Sequence, residues 1–244
     1  MKIIDAYWEK RNLGVDCCEI VVQEEDLLQE VRESIEGLKA GYLVLKIPSG
    51  RPDAMQMAEQ LGYRFIEGSI DVVNDLRPYP LPPLVERLNA CTSHAQMDDT
   101  DIHVMYDELD KGMFSTDRIS MDSYFTSEQA ARRYINWIGD ELQRGSVPYK
   151  IVNKDQAVGF FIYKEKAPGI CYPFLVGMYE KYAKSGLGVV AIYKAMEEAR
   201  RRGMRQVSTV LSTNNRATMR IHSTLGYVFE KISYVYVKHT DGGY

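Results

Sequence analysis

The segment from Phe174 to Tyr236 constrains this chain more than any other. An apolar strand (Phe174-Leu175-Val176-Gly177-Met178) runs into the turn Lys184-Ser185-Gly186-Leu187-Gly188, and a long amphipathic helix follows. A second strand (206–211), an Asn-led helix (214–224), Leu225-Gly226-Tyr227 and a last strand complete the segment. A helix that opens from glycines leaves its first N–H groups without intrahelical acceptors, and the helix dipole puts positive potential at the same end. Such an end is a cradle for a pyrophosphate. A phosphorylated cofactor is therefore expected at this turn.

The bulk numbers exclude more than they assign. At 244 residues the chain can be one large domain or two small ones. A net charge of −4 argues against a nucleic-acid partner, which would call for a basic face. The basic run Arg200-Arg201-Arg202 with Arg205 closes a helix, where positive charge suits the dipole. Cys17, Cys18, Cys91 and Cys171 show no CxxC and no metal-ligand spacing, and His94 and His103 near Cys91 are too few and too loosely spaced for zinc. No metal is expected. Met1-Lys2-Ile3 opens no leader and no apolar run approaches about eighteen residues. A cytoplasmic protein with reduced thiols and no membrane partner is expected.

The clearest boundary is the proline-rich stretch from Asp75 to Pro83, too rich in proline for a helix interior or a central strand. It suggests a small α/β unit over 1–74, a linker over 75–84 and a larger unit over 85–244. The first unit reads strand (19–23), helix (25–38), strand (42–47), helix (52–61), strand (65–73), with a core that is marginal alone. The second reads helix (about 102–111), a loop (112–125), a helix from about Ser127, two antiparallel strands (149–153 and 158–163), and then the opening segment. Leu61-Gly62-Tyr63-Arg64-Phe65 and Leu225-Gly226-Tyr227-Val228-Phe229 occur in the same setting, a helix end entering a strand. Two independent glycine caps would give that; so would a degenerate internal copy, which without a Gly-x-Gly turn should not bind the cofactor.

With these residues in view, the chain resembles the GNAT acyl-CoA N-acyltransferases. The family's Q/R-x-x-G-x-G/A turn is matched by Ala183-Lys184-Ser185-Gly186-Leu187-Gly188, with Ala183 in place of the usual Gln or Arg. Its second motif, an Asn before a helix that ends in Gly-Phe/Tyr, is matched by Asn215 and Gly226-Tyr227, with His222 where the family has Tyr. The resemblance implies a GNAT fold, a mixed central sheet flanked by helices, with a smaller N-terminal α/β unit that could be a degenerate GNAT-like half. It implies acetyl-CoA as acyl donor, held by main-chain N–H groups from Ala183 to Gly188 and by Asn215. The Met178 N–H would meet the thioester oxygen. His222 shares the inward face of its helix with Thr218, Ile221 and Leu225, and with an ordinary pKa of about 6.5 it could protonate the leaving thiolate; packing alone is the other reading.

Scattered similarities extend the resemblance to a branch that acetylates nucleotide-linked amino sugars: Tyr7-Trp8-Glu9, Leu45-Lys46-Ile47, Glu67-Gly68, and the loop Phe114 to Asp122 followed by Tyr134 to Ile138. They imply a nucleotide-linked 4-amino-deoxyhexose as acceptor, with Arg118, Asp122 and Tyr172 on the substrate side. Glu180, Tyr172 and Asp122 are the candidates for a base, and none is assigned. An amino acid, polyamine or protein amine is the alternative acceptor, and a non-catalytic acyl-CoA sensor the alternative class; a homodimer is left open. A dinucleotide oxidoreductase is disfavoured, because Gly186-x-Gly188 lacks a third glycine and the next strand ends without an acid for a ribose.

Overall fold

The computed structural model describes residues 1–240, so the last four residues of the expected 85–244 unit lie outside the description. The chain begins β1 (Lys2–Asp5), α1 (Tyr7–Leu13), β2 (Cys17–Val21), α2 (Leu28–Glu36), β3 (Tyr42–Pro48), α3 (Pro52–Gln60) and β4 (Arg64–Asn74). After the proline-rich stretch come α4 (Pro83–Ala90), β5 (Thr92–Gln96), α5 (Asp99–Asp110), α6 (Arg118–Met121) and α7 (Ser127–Gln143). Then follow β6 (Val147–Asn153), β7 (Gln156–Tyr163), β8 (Glu165–Ala167), β9 (Ile170–Cys171), β10 (Leu175–Met178), α8 (Gly188–Arg201), β11 (Gln206–Ser212), α9 (Arg216–Thr224) and β12 (Val228–His239).

The sequence reading missed β1, α1, α4, β5, α6, β8 and β9. Prolines that would break a helix interior instead open α4, with Pro82 at its N-cap and Pro83 in its first turn. β5 is a polar edge strand with no apolar alternation to reveal it.

Two sheets form, one of eight strands in the order β1-β2-β3-β12-β4-β11-β9-β8 and one of four in the order β10-β7-β6-β5. In the larger sheet, strands from before and after the proline-rich stretch interleave: β4 lies between β11 and β12, and β12 between β3 and β4. The order is also palindromic. β1 and β8 are antiparallel to their neighbours β2 and β9, and these are parallel to β3 and β11 in turn. Inside them every pairing is antiparallel.

The register repeats at a constant offset of 164 residues, that of Leu61 from Leu225. Ile47 pairs with Tyr234 as Leu211 pairs with Ile70, and Val73 with Val228 as Arg64 with Val237. Even the irregularities correspond, with Ile66 and Glu230 each skipped in the β4–β12 ladder. α3 and α9 are both nine residues long at the same offset. Independent glycine caps give no reason for matched register and matched bulges; an internal copy does.

The two Leu-Gly-Tyr corners nevertheless differ in strain. Gly62 and Gly226 both have positive φ, +81° and +76°, but only at Gly226 would a Cβ meet a ring, Tyr79 Cδ2 at 2.9 Å. Gly62→Ala should cost about 1–2 kcal/mol for the left-handed backbone. Gly226→Ala should cost about 1 kcal/mol more for the crowding. Denaturant unfolding checks this, and in a Tyr79→Ala background the difference should vanish.

One face of the larger sheet packs on α8, where Val72, Val207, Ala191, Ala195 and Leu225 are buried together with Phe161 of the smaller sheet. On the other face Ile119, Phe125 and Ala130 from the α6–α7 region cover Val44, Val235 and Val237. The two sheets part where β9 ends. Ile170 and Cys171 pair with β11, the chain leaves through Tyr172-Pro173-Phe174, and β10 pairs instead with β7. That parting opens a slot between β11 and β10.

Candidate active site

N–H groups along a strand point alternately to its two edges. The Tyr179 N–H donates to the Val158 carbonyl of β7 at 3.0 Å, so the Gly177 N–H points the same way. Those of Val176 and Met178 therefore face the open edge of β10, on the side of the slot. β10 is drawn tightly onto β7 because both strands carry glycine at the crossing: a Cβ on Gly159 would sit 2.4 Å from the Gly177 carbonyl oxygen.

Beyond Met178 a single 3₁₀ turn (Glu180–Tyr182) leads into the glycine turn. The Ala183 and Ser185 N–H groups bond back to the Glu180 and Tyr182 carbonyls, and the Ser185 hydroxyl donates to Tyr182 O at 2.6 Å while accepting the Leu187 N–H at 3.2 Å. Gly186 takes φ +81°, which turns the backbone into α8. Val190 and Ala191 both donate to the Leu187 carbonyl. Among the described residues this leaves Gly186, Gly188 and Val189 with N–H groups that have no protein acceptor, at the positive end of a 14-residue helix. An anion of pyrophosphate size fits those donors.

Residues from both faces of the larger sheet line one cavity of about 400 Å³ in the slot. From the α8–α9 side come Ile192, Asn215, Thr218 and His222; from the α6–α7 side, Phe114, Arg118, Arg133, Tyr134 and Trp137. Tyr172 and Phe174 of the connection after β9, and Val176 of β10, form a further wall. The Asn215 side chain caps α9, accepting the Thr218 N–H at 3.1 Å.

His222 is 4% exposed, edge-on to the Tyr227 ring at 4.6 Å between centroids. Its Nδ1 lies 2.9 Å from the Thr218 carbonyl, which fixes the proton on Nδ1. Burial lowers its pKa to about 4, with the Thr218 hydrogen bond only partly opposing. The ring does not keep the ordinary value near 6.5: at neutral pH it is uncharged and offers an Nε2 lone pair. At the equivalent position the first half carries Ala58.

The substrate-side residues divide. Tyr172 lines the slot, its hydroxyl pKa raised by burial and by Asp71 and Glu141. Arg118 also lines it, yet its guanidinium is buried, paired with Glu19 and with Glu9 at 3.4 Å. Arg133 bonds the same Glu9 oxygen at 2.7 Å, and Lys46 bonds Glu19 at 2.7 Å. Asp122 is not among the slot residues. It is 2% exposed and bonded to His239 at 2.8 Å, and the His239 ring lies between Tyr42 and Tyr124. Glu180 is an exposed turn residue.

Sequence reasoning missed the Glu67 side chain. It lies on β4 in a cross-strand row Lys46–Val235–Glu67 and lines the slot. Glu67, Ser69 and Asp71 alternate with Gly68, Ile70 and Val72, which by itself reads as a solvent-facing strand edge. The cover supplied by α6 and α7 buries it.

A second cavity of about 520 Å³ adjoins the first, sharing Lys46, Arg118, Arg133 and Trp137 with it. Arg11 and Arg144 add positive charge there against Glu19 and Asp140, and Tyr7 and Trp8 stand at its wall. Tyr7 is 70% exposed and Trp8 37%.

A sheet split at the strand that feeds a glycine turn, with outward N–H groups on both, is the arrangement that the resemblance to acyl-CoA N-acyltransferases implies. The model of the Acetyltransferase (GNAT) family matches residues 105–227, just over half of the chain, and the chain belongs to that family. Membership implies acetyl transfer from acetyl-CoA to an amine. Among solved structures, a functionally unknown conserved protein from Staphylococcus epidermidis is similar at TM-score 0.61 and 13% identity, over 92% of this chain and 84% of that one. A tandem GNAT protein of the clavulanic acid biosynthesis pathway gives 0.56 and 13%, over 93% and 76%. A GCN5-related N-acetyltransferase from Sphaerobacter thermophilus gives 0.58 and 17%, over 81% of this chain but only 59% of its own length. Identities this low speak to the fold. No curated protein matches the sequence. Among the described residues there is no metal-binding cluster, and no helix is long and apolar enough to cross a membrane.

Proposed function

We propose that the protein transfers the acetyl group of acetyl-CoA to the 4-amino group of a nucleotide-linked amino-deoxyhexose, as TDP-fucosamine acetyltransferase does. The donor's pyrophosphate lies on the N–H groups of Gly186, Gly188 and Val189, those of Ala183, Ser185 and Leu187 being spent inside the turn, with Asn215 beside the pantetheine path. The Met178 N–H meets the thioester oxygen, where negative charge develops as the carbonyl becomes tetrahedral. The amine enters from the α6–α7 side, attacks directly, and the thiolate leaves toward His222.

The observation that carries the acceptor class is the second cavity. Arg11, Lys46, Arg118, Arg133 and Arg144 line it, paired with Asp140, Glu19, Glu9 and Glu141, which leaves one positive charge in excess in a chain of net charge −4, and Tyr7 and Trp8 line it with them. Arginine suits a diphosphate, and an aromatic face suits a base. A polyamine would call for the opposite charge.

Thiol release from acetyl-CoA with dTDP-4-amino-4,6-dideoxygalactose, against a blank without acceptor, tests the reading directly. Trp8→Ala should then raise KM for the nucleotide sugar roughly tenfold, the equivalent of one lost stacking contact, and leave kcat and the KM of a small amine unchanged. Equal use of the nucleotide sugar and a nucleotide-free amino sugar would remove the second cavity from the argument.

A further inference from the structure

We propose that Glu67 is the general base that takes a proton from the acceptor's ammonium group, so that the first half of the chain completes the active site. The inference rests on the slot being the place of acetyl transfer. Glu67 is 9% exposed, its side chain lines the slot, and its Oε2 is buried with no hydrogen-bond partner among the described residues. Ser212 is within reach, but its one hydroxyl proton goes to the Thr116 carbonyl at 3.0 Å. A buried carboxylate oxygen with no donor is costly in a resting protein. An incoming ammonium group supplies the donor that is missing.

The surroundings set the proton affinity. Burial raises the Glu67 pKa and Asp117 adds to the rise, while Ser212, Arg118 and Lys46 hold part of it back. Lys46 faces the carboxyl from β3, Arg118 and Asp117 from the start of α6, and the Tyr134 ring from α7. The two cations are themselves committed to Glu19 and Glu9, so neither closes a salt bridge with Glu67. A carboxylate raised toward the working pH is a better base than one at its ordinary value. Glu180, exposed on the turn, has no such setting.

The step balances without any further reagent. The Glu67 carboxylate takes one proton from R–NH₃⁺, and the freed lone pair forms the C–N bond to the thioester carbonyl carbon. The carbonyl π pair moves onto oxygen. As it returns, the C–S bond breaks and the pair leaves on sulfur. The nitrogen's surplus proton passes to the thiolate, giving amide and free thiol, and Glu67 returns its proton to water.

The test compares wild type and Glu67→Gln with three amines: the nucleotide amino sugar, benzylamine, and methoxyamine, whose nitrogen is already unprotonated at neutral pH. The variant should lose roughly 10²- to 10⁴-fold in kcat/KM with the two ammonium substrates and far less with methoxyamine. The acidic limb of its pH–rate profile should disappear. Acetyl-CoA affinity by calorimetry and the unfolding midpoint should hold. Equal losses with all three amines would mark a structural role and overturn the proposal, as would an unchanged profile. Wild type that uses benzylamine but refuses the nucleotide sugar would sink the acceptor reading and leave the Glu67 comparison standing. Wild type that acetylates none of them would remove acyl transfer and the Glu67 role together.

Discussion

Arg118→Met is expected to destabilise the fold by about 3–5 kcal/mol, the usual loss when one partner of a buried ionic cluster is removed. Methionine keeps most of the volume, so the loss measures charge rather than a cavity. Arg118 is shared between Glu9, which is fully buried, and Glu19. Removing it leaves two buried carboxylates with Arg133 and Lys46 alone. The same cluster sets the acid stability. Burial pushes the Glu19 pKa up, but Arg118 and Lys46 outweigh it and bring it down to about 2. A carboxylate held below its unfolded value near 4.5 contributes stability that is fully present above pH 4.5 and lost as pH falls toward 2. That contribution is of the order of 3 kcal/mol. In Arg118→Met the acid-unfolding midpoint should rise and the thermal midpoint fall by roughly 10 °C. Thermal scans at neutral and acidic pH check both, and a midpoint unchanged at neutral pH would mean that Arg118 does not hold the cluster. The proposed substrate role would instead predict normal stability with a raised acceptor KM.

Local signals made the second half legible, and interleaving hid much of the first. The glycine turn, the helix after it and the helix ending at Leu225-Gly226-Tyr227 are each written in contiguous residues, so strand, turn and helix can be read in order. Their match to a family pattern gave the fold. Even the internal echo could be seen, as five residues in each half, because a glycine cap leaves a sequence mark. What it could not reveal was the exchange of β4 and β12 across the pseudo-twofold, since strand pairing is long-range and leaves no mark on either strand alone. The candidate site split the same way. The donor turn is local and was legible. The acceptor side is assembled from β3, β4, α6 and α7, and there the sequence ranked charge by type rather than by cover. Arg118 and Asp122 read as substrate-side residues of the loop before α7, whereas Arg118 is buried in ion pairs and Asp122 is buried against His239. Glu67 read as one more polar residue on a strand, and only the helices packed over it turn it into a candidate base.

His222→Ala should lower kcat roughly 10²- to 10⁴-fold with little change in acetyl-CoA affinity, and the pH profile should say how the residue acts. Were His222 a resting acid, the working form would be the imidazolium, and the rate would fall as pH rose through about 6.5. Burial removes that form: with a pKa of about 4 the ring is neutral across the working range. Its Nδ1–H is committed to the Thr218 carbonyl, so its Nε2 can only accept. The ring can then serve the leaving thiolate only by first taking the surplus proton of the attacking nitrogen and passing it on, a relay that needs no charged resting state. Wild type should therefore show no loss of rate from His222 above neutrality. The depressed value also has a cost in acid: the unfolded state takes up a proton near 6.5 that the folded state resists until about 4, so stability declines as pH falls across that window. His222→Ala should flatten this decline, although the cavity it leaves lowers stability at every pH. An unchanged kcat would leave the ring as packing against Tyr227 and nothing more. A wild-type basic limb near 6.5 that vanishes in the variant would restore the resting acid, and with it a solvated imidazole that a 4% exposed side chain does not provide.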